Sequence, residues 1–311
     1  MKNTILFGDC RDTIPTITER PRMCVTSPPY YGLRDYGGED KQIGQEQSPE
    51  EYIENMVDVF RKVRDVLADD GTLWVNIGDS YYNYRPGKGQ ALNKQSVSNT
   101  KQDLPDECPR RGNKLEGLKE KDLIGIPWML AFALRADGWY LRQDIIWHKP
   151  NPMPESVKDR CTKAHEYIFL LSKSKYYHYD NEAIKEPVKQ DWGTRDRTNG
   201  KYHNPGTGLQ PHSGLTKSYT KRNKRSVWSV NKKPYKGAHF ATYPEELIQP
   251  CILAGSEKND IILDPFMGSG TTAVVAKSLG RHYIGCELHE DYGKLIQKRL
   301  NSKSFAKLEL V

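Results

Sequence analysis

The sequence predicts an α/β fold with a mostly parallel sheet, and two observations lead to this prediction. Short apolar runs that end in turn or acidic residues occupy residues 5–7, 23–26 and 73–77, as buried parallel strands do. Segments with helical spacing of apolar residues lie between such runs, which is the pattern of strand–helix–strand crossovers. With 311 residues, the chain is long enough for one large domain that carries an insertion.

The clearest helix follows the second apolar run. Ser48 can cap its N-terminus, Pro49 suits its first turn, and Glu51 completes a capping box. Apolar residues then recur at helical spacing from Tyr52 to Val66. Because the third apolar run follows at once, we expect this helix to connect two parallel strands.

The second half of the chain repeats the alternation. Residues 126–136 predict a helix, and residues 140–147 and 167–171 predict two strands that pair antiparallel at the sheet edge. Near the C-terminus a compact βαβ unit is predicted, with strands at 261–263 and 283–285 and a helix at 271–279.

Composition excludes several classes of protein. The 47 Lys and Arg against 40 Asp and Glu give a net charge of +7. The six cysteines form no C-x-x-C pair and have no metal-ligand spacing, which predicts reduced thiols, no disulfide framework and no metal site. No apolar run reaches the roughly 18 residues of a membrane span, and no signal-like segment begins the chain, so we expect a cytoplasmic protein.

Two polar segments interrupt the alternation of strands and helices. Residues 83–122 are rich in Lys, Asn, Gln, Gly and Pro and lack periodicity, which predicts a loop insertion. Residues 193–236 hold eleven Lys or Arg and one acid, Asp196, interleaved with Tyr, His and Trp. Cations mixed with aromatic rings favour a nucleic acid partner, and a solvated basic loop is the alternative.

Residues 26–30, TSPPY, form the first candidate site. Two consecutive prolines remove two backbone donors, so the neighbouring carbonyl groups are left as acceptors. Such a turn suits a flat ring that bears an amine, because the amine can donate to Ser27 and a carbonyl while Tyr30 stacks on the ring. An ordinary strand-to-loop turn would explain the same residues.

Residues 264–272, DPFMGSGTT, form the second candidate site, a glycine loop between a predicted strand and a predicted helix. Gly268 and Gly270 permit a tight turn and a close approach of a ligand to the backbone. A P-loop needs Lys after its second glycine, where this chain has Thr271, so ATP and GTP are disfavoured. A glycine turn with a purely structural role is the alternative interpretation of these residues.

Two cofactors remain for this loop. Ala273 and Glu287 stand where a dinucleotide motif has its third small residue and its acid, so the spacing permits NAD. Asp264 at the strand end would repel a pyrophosphate but attract an ammonium group. S-adenosylmethionine fits these residues better, with its ammonium at Asp264 and its ribose hydroxyls at Glu287.

Three segments together resemble a known family. TSPPY at 26–30, DPFMGSGT at 264–271 and IIWHKPNPMPE at 145–155 are similar to the amino-methylating DNA methyltransferases. More narrowly, they resemble the beta-order group of prokaryotic and phage enzymes, in which the catalytic motif precedes the cofactor motif. The resemblance implies a circularly permuted, Rossmann-like, S-adenosylmethionine-dependent methyltransferase fold. In that fold a mostly parallel seven-stranded sheet places the first and last strands of the chain side by side, with an irregular target-recognition insertion.

The resemblance also implies roles for individual residues. The catalytic residues at the turn are Ser27, Pro28, Pro29 and Tyr30. The expected cofactor-binding residues are Asp9, near the adenine, and Asp264, Phe266, Gly268, Ser269, Gly270, Thr271 and Glu287. Residues 239–244 resemble a segment that helps to enclose the cofactor. The expected DNA-binding residues are Arg195, Arg197, Lys221, Arg222, Lys224 and Arg225.

Under this resemblance the chain divides into five parts. Residues 1–82 and 123–184 form the catalytic half of the methyltransferase domain, with the polar loop 83–122 between them. Residues 185–236 form the basic target-recognition region, and residues 237–311 form the cofactor-binding half.

The implied reaction transfers a methyl group from S-adenosylmethionine to the exocyclic amine of a base flipped out of duplex DNA. Ser27 before the prolines favours N4 of cytosine, with N6 of adenine as the alternative. An RNA methyltransferase and a non-catalytic DNA-binding protein are the alternatives from other classes. Carbon-5 methylation of cytosine would need a cysteine nucleophile, but Cys251 is better explained as a packed thiol. A cognate restriction endonuclease, where one exists, is expected to be a separate chain. The sequence does not distinguish a monomer from a homodimer as the oligomeric state of this protein.

Overall fold

The computed structural model describes residues 1–32, 42–82, 115, 117–188, 220–232 and 243–302. Within these ranges the strands are β1 Thr4–Phe7, β2 Met23–Thr26, β3 Thr72–Ile77, β4 Tyr140–His148, β5 His165–Ser172, β6 Glu186–Pro187, β7 Lys221–Arg222, β8 Val227–Ser229, β9 Ile261–Asp264 and β10 His282–Glu287. The helices are α1 Cys10–Thr13, α2 Pro49–Val66, α3 Ile126–Ala136, α4 Glu245–Gly255, α5 Thr271–Ser278 and α6 Asp291–Ser302. Most of the polar loop 83–122 and of the basic segment 193–236 lies outside the described residues.

Eight strands form one sheet in the order β1-β10-β9-β2-β3-β5-β4-β8. Only β5 runs against the others, since it pairs antiparallel with both β3 and β4. This confirms the predicted α/β fold with a mostly parallel sheet, and all seven expected strands are present.

β1 and β10 are the first and last described strands along the chain, and they are neighbours in the sheet. They pair in parallel, with Thr4 opposite Ile284 and Phe7 opposite Glu287. The predicted circular permutation is therefore confirmed. It brings the residues that follow β1 and those that end β10 to the same edge of the sheet.

The strand β8 was not predicted, because its three residues lie inside the basic segment that the sequence marks as irregular. It pairs in parallel with β4, with Trp147 opposite Trp228, and Trp228 is buried. The antiparallel pairing of β4 with β5 is confirmed, but the predicted edge position of this pair is wrong because β8 covers β4.

Helices cover both faces of the sheet. Apolar residues of α1, α2 and α3 pack on one face, and those of α4, α5 and α6 pack on the other. Alternate residues of β2 show the two layers, since Cys24 belongs to the first and Val25 to the second. Among the described helices, none has the length and apolar character that crossing a membrane requires.

The start of α2 differs slightly from the predicted capping box. Ser48 caps the helix by accepting a hydrogen bond from the backbone N–H of Glu51 at 3.2 Å, as expected. The Glu51 carboxylate, however, accepts from the backbone N–H of Gln47 at 3.0 Å rather than from that of Ser48. The cap thus reaches one residue further back and holds the loop that enters the helix.

Candidate active site

The carboxyl ends of β1, β10, β9, β2 and β3 lie next to one another, and a cavity of about 560 Å³ is lined by residues that end or follow these strands. This is where open α/β sheets bind ligands. All four predicted catalytic residues line the cavity: Ser27, Pro28, Pro29 and Tyr30. Six predicted cofactor residues also line it: Asp9, Phe266, Gly268, Ser269, Thr271 and Glu287. The two candidate sites that the sequence places about 240 positions apart are therefore parts of one cavity.

The glycine loop has the backbone that its sequence predicts. Gly268 and Gly270 have φ angles of 51° and 80°, in the left-handed region that favours glycine. A Cβ at Gly270 would lie 2.9 Å from the Cγ2 atom of Ile296, so α6 leaves no room for a side chain there. Arg299 on α6 donates to the carbonyl oxygen of Ser269 at 2.8 Å and to its Oγ at 2.6 Å. The contacts with α6 thus fix the loop in place.

Glu287 ends β10 with its carboxylate at the cavity. Its Oε2 accepts from the backbone N–H of Gly268 at 2.8 Å, and its Oε1 accepts from the backbone N–H of His289 at 3.0 Å. Burial raises the pKa of this carboxyl, and the two backbone donors act against that shift. Each oxygen keeps a lone pair, so the carboxylate can accept from the hydroxyl groups of a bound ribose.

Asp264 corrects one expectation. Its side chain is 1% exposed, and it does not line the cavity. Oδ1 accepts from Thr26 at 2.6 Å and from the backbone N–H of Phe266 at 3.0 Å, and Oδ2 accepts from Tyr243 at 3.1 Å and Thr272 at 2.5 Å. Burial raises the pKa of Asp264, while these donors lower it. The expected direct contact with a ligand ammonium does not fit this position, in which Asp264 ties the end of β9 to β2 and to the glycine loop.

Asp9 follows β1, lines the cavity and caps α1. Its carboxylate accepts from the backbone N–H of Arg11 at 2.8 Å and pairs with the Arg11 guanidinium at 2.6 Å. The cavity wall therefore presents this acid as a largely neutralised pair, which suits a neutral ring such as adenine better than a cation.

The Ser-Pro-Pro-Tyr turn presents acceptors selectively. The carbonyl oxygen of Pro29 accepts from the Tyr52 hydroxyl at 2.9 Å, whereas that of Pro28 has no donor among the described residues. Ser27 Oγ accepts from Nδ2 of Asn76 at 3.3 Å, which leaves one lone pair of this oxygen for another donor. The turn thus keeps two acceptors, on Ser27 and Pro28, for a ligand amine.

Three residues behind the turn were not identified from the sequence: Asn76, Lys149 and Glu166. Tyr30 donates to Oε2 of Glu166 at 2.8 Å, and Asn76 donates to the Tyr30 oxygen at 2.9 Å. Lys149 donates to Oε1 of Glu166, and its ammonium lies 4.3 Å from the centroid of the Trp147 ring. All of them line the cavity. Lys149 lies within the segment 145–155 that carries the family resemblance, and that segment could have identified it. Asn76 and Glu166 are single polar residues in strands, and a single residue forms no sequence pattern from which a role could be predicted.

In the described part of the basic segment, Lys232 lines the cavity, whereas the cations expected to bind DNA do not. Arg222 and Arg225 both donate to Oε1 of Glu186, at 2.9 and 2.6 Å, and the Lys224 ammonium lies 5.0 Å from the centroid of the Trp228 ring. Lys221 is exposed at the start of β7. None of these four cations lines the cavity. Arg195 and Arg197 lie outside the described residues, as do residues 239–242 of the segment expected to enclose the cofactor.

Cys251 has the environment of a packed thiol. It is fully buried in α4, and its Sγ donates to the carbonyl oxygen of Leu247 at 3.7 Å. Burial raises the pKa of this thiol, which disfavours the nucleophilic thiolate. The structure gives no support to carbon-5 methylation through Cys251.

Comparisons with known proteins identify a matching family model, similar proteins and a similar fold. A family model described as DNA methylase, N6_N4_Mtase, matches residues 22–298. The chain is 46% identical over 297 residues to the type II methyltransferase M.SmaI of Serratia marcescens, across 95% of this chain and 90% of that protein. It is 46% identical over 301 residues to M.Cfr9I of Citrobacter freundii, across 96% and 88%. Among solved structures, the PvuII DNA methyltransferase (cytosine-N4-specific) has a similar fold, with a TM-score of 0.61 at 17% identity over 98% of this chain and 89% of that one.

Proposed function

Because the chain belongs to the N6/N4 family of type II DNA methyltransferases, we propose that it methylates the exocyclic N4 amine of a cytosine flipped out of duplex DNA. S-adenosylmethionine is the cofactor of this family. The observation that carries the proposal is the single cavity in which the Ser-Pro-Pro-Tyr turn faces the residues of the glycine loop. Such a cavity can hold the methyl donor and the target base together.

The described residues fit this cofactor. It supplies a methyl group on a positively charged sulfur, which an amine can attack directly. Glu287 would hold the ribose hydroxyls, the pair of Asp9 with Arg11 and the ring of Phe266 would border the adenine, and the loop around Gly268 would approach the cofactor closely. Asp264 would act indirectly, by fixing the start of that loop.

The turn would activate the target amine by position. The lone pair of an aromatic amine is delocalised into its ring, so the amine is a poor nucleophile. When its two N–H groups donate to Ser27 Oγ and the Pro28 carbonyl oxygen, the nitrogen becomes more tetrahedral and its lone pair can point at the methyl group. The nitrogen forms the new N–C bond as the S–C bond breaks, the sulfur keeps the electron pair, and the nitrogen then releases one proton to water. Well-oriented reactants can gain roughly 7–11 kcal/mol in this way.

The preference for cytosine rests on Ser27. In the family that the motifs resemble, Ser before the two prolines mostly accompanies cytosine N4, and Asp or Asn mostly accompanies adenine N6. Both amines need the same two acceptors, so adenine N6 is the alternative for this chain. The family membership favours DNA over RNA as the substrate. We also propose that the reaction takes place in the cytoplasm of a prokaryotic or phage-infected cell, and that any cognate endonuclease is a separate chain.

The identity of the base has a direct test. The chain is expressed in a methylation-free host, and the host DNA is sequenced by a method that distinguishes N4-methylcytosine from N6-methyladenine. We expect N4-methylcytosine at one short recurrent sequence, which also gives the recognition site. N6-methyladenine at a recurrent sequence would contradict the cytosine assignment, and unmodified DNA beside an expressed, folded protein would contradict the proposed function.

The position of the Tyr30 ring has a second test, the change Gly78→Ala. A Cβ at Gly78 would lie 2.7 Å from Cε2 of Tyr30 and 3.3 Å from Cγ of Glu166. The φ angle of Gly78 is outside the left-handed region, so alanine can adopt the same backbone conformation. The added Cβ would instead displace the Tyr30 ring. We expect the methyl-transfer rate to fall by up to about 100-fold, since a displacement of about 1 Å can cost that much. A folded variant with the wild-type rate would show that the ring is not required where the structure places it.

A further inference from the structure

Glu166 on β5 is a partly buried acid that neither the motifs nor the proposed chemistry uses. Its side chain is 15% exposed and lines the cavity beside the catalytic turn. One oxygen, Oε2, accepts from the Tyr30 hydroxyl at 2.8 Å and from Nδ2 of Asn76 at 3.2 Å. The other, Oε1, accepts from Lys149. Three donors therefore converge on one carboxylate.

The carboxylate fixes the direction of every hydrogen bond around it. An ionised carboxylate only accepts, so the single hydroxyl proton of Tyr30 must point at Glu166. The Tyr30 oxygen, 2.9 Å from the Asn76 amide, must then accept, and so Asn76 presents its nitrogen to it. The 3.2 Å contact between Asn76 and Glu166 requires the same orientation of the amide. Because the amide has two hydrogens, Tyr30 and Glu166 share one and the other points at Ser27.

The same orientation reaches Ser27. Because the Asn76 nitrogen faces the turn, it donates to Ser27 Oγ at 3.3 Å, and the serine hydroxyl proton cannot occupy that direction. Ser27 therefore keeps one lone pair for a ligand amine. Burial, followed by the nearby Glu166, raises the pKa of Tyr30 well above its usual value, so Tyr30 keeps the proton on which this arrangement depends. The Oδ1 atom of Asn76 is buried and has no partner among the described residues, so it does not pull the amide the other way.

We propose that Glu166 is a positioning residue for methyl transfer: through Tyr30 and Asn76, it holds Ser27 as a hydrogen-bond acceptor for the target amine. The proposal rests on the proposed role of the turn. In this role Glu166 would act through its neighbours rather than on the base, and its contact with Lys149 holds the carboxylate in place.

The test is Glu166→Gln, which keeps the shape of the side chain but adds a donor. A glutamine amide can donate to the Tyr30 oxygen; Tyr30 can then donate to Asn76 Oδ1, and Ser27 would donate to Asn76 instead of accepting. The original and the reversed arrangement of donors and acceptors would then have similar free energies. We expect the single-turnover methylation rate to fall about 100-fold on a duplex that carries the sequence found in the host DNA, with less than about a threefold change in Kd for DNA and for S-adenosylmethionine.

Two controls separate positioning from damage to the fold. Glu257→Gln, at an exposed position away from the cavity, is expected to keep the wild-type rate. The Glu166→Gln protein is expected to unfold at nearly the wild-type temperature and to give the wild-type fluorescence increase on a duplex with 2-aminopurine at the target position. Base flipping would then be intact while methylation is slow.

A double-mutant cycle with Ser27→Ala tests whether Glu166 affects the methylation rate through Ser27. If Glu166 acts through Ser27, adding Glu166→Gln to Ser27→Ala lowers the rate only a few-fold further. Additive losses, or a Glu166→Gln rate within threefold of wild type, would overturn the proposal and leave the role of the turn standing. A wild-type rate in Ser27→Ala itself would instead overturn the proposed role of the turn.

Discussion

Replacing Ser27 with alanine is expected to lower the single-turnover rate of methyl transfer by about 100-fold, while DNA and S-adenosylmethionine bind as they do to the wild type. The alanine removes one of the two acceptors that the turn keeps for the amine, and it leaves an N–H of Asn76 without its partner. Removing one preorganised hydrogen-bonding group at the reacting atoms of an enzyme typically costs about 100- to 1,000-fold in rate. The measurement is rapid-quench methylation with cofactor and enzyme in excess over DNA.

The matched control is Ser174→Ala. That serine does not line the cavity and donates to the carbonyl oxygen of Asp69 at 2.5 Å, so its loss should leave the rate unchanged. A wild-type rate for Ser27→Ala would mean that the amine is held elsewhere. A loss of DNA binding equal to the loss of rate would mean that Ser27 acts in binding rather than in the transition state.

Replacing Asp264 with alanine is expected to lower the free energy of unfolding by about 3 kcal/mol or more and to weaken cofactor binding severely. Four donors, from Thr26, Phe266, Tyr243 and Thr272, lose their acceptor in a buried place. A buried donor without a partner costs about 1–3 kcal/mol, and the Tyr243 and Thr272 hydroxyls, which lie in contact, can recover part of that cost by bonding to each other once the carboxylate is gone. The backbone N–H of Phe266 has no such alternative, so the start of the glycine loop should shift.

Asp264→Asn is the matched comparison. The amide oxygen can still accept from Thr26 and Phe266, and the amide nitrogen can donate to the two hydroxyls, so we expect a smaller loss of stability than with alanine. Chemical denaturation measures the stability, and calorimetry at a temperature where both variants are folded measures the cofactor Kd. A wild-type Kd in folded Asp264→Ala would show that the loop does not depend on this carboxylate.

The sequence predicted those parts of the fold and site that local patterns encode. The strand ends at Ser27 and Glu287 could be located because each follows an apolar run, and the family resemblance then placed them beside each other. Asp264 was correctly placed at a strand end, but its hydrogen bonds depend on Tyr243 and Thr26, which approach only in the folded chain. Tertiary packing, rather than the strand-end position, decides that it lies behind the cavity.

Glu166 and Asn76 show a second limit. They meet because β5 pairs with β3, a contact between segments 90 positions apart. A sequence pattern gives the strands but not which polar side chains of neighbouring strands meet. The strand β8 shows a third limit, since its three residues gain strand structure only from β4.

The pairing of β1 with β10 also sets the time at which activity can arise during synthesis. Asp9 is synthesised well before Glu287, but among the described strands β1 has no partner until the segment that ends in Glu287 has been made. The wall of the cavity that Glu287 provides therefore forms late, after β10 has been made. A nascent or truncated chain that stops before β10 would carry the complete Ser-Pro-Pro-Tyr turn without that wall.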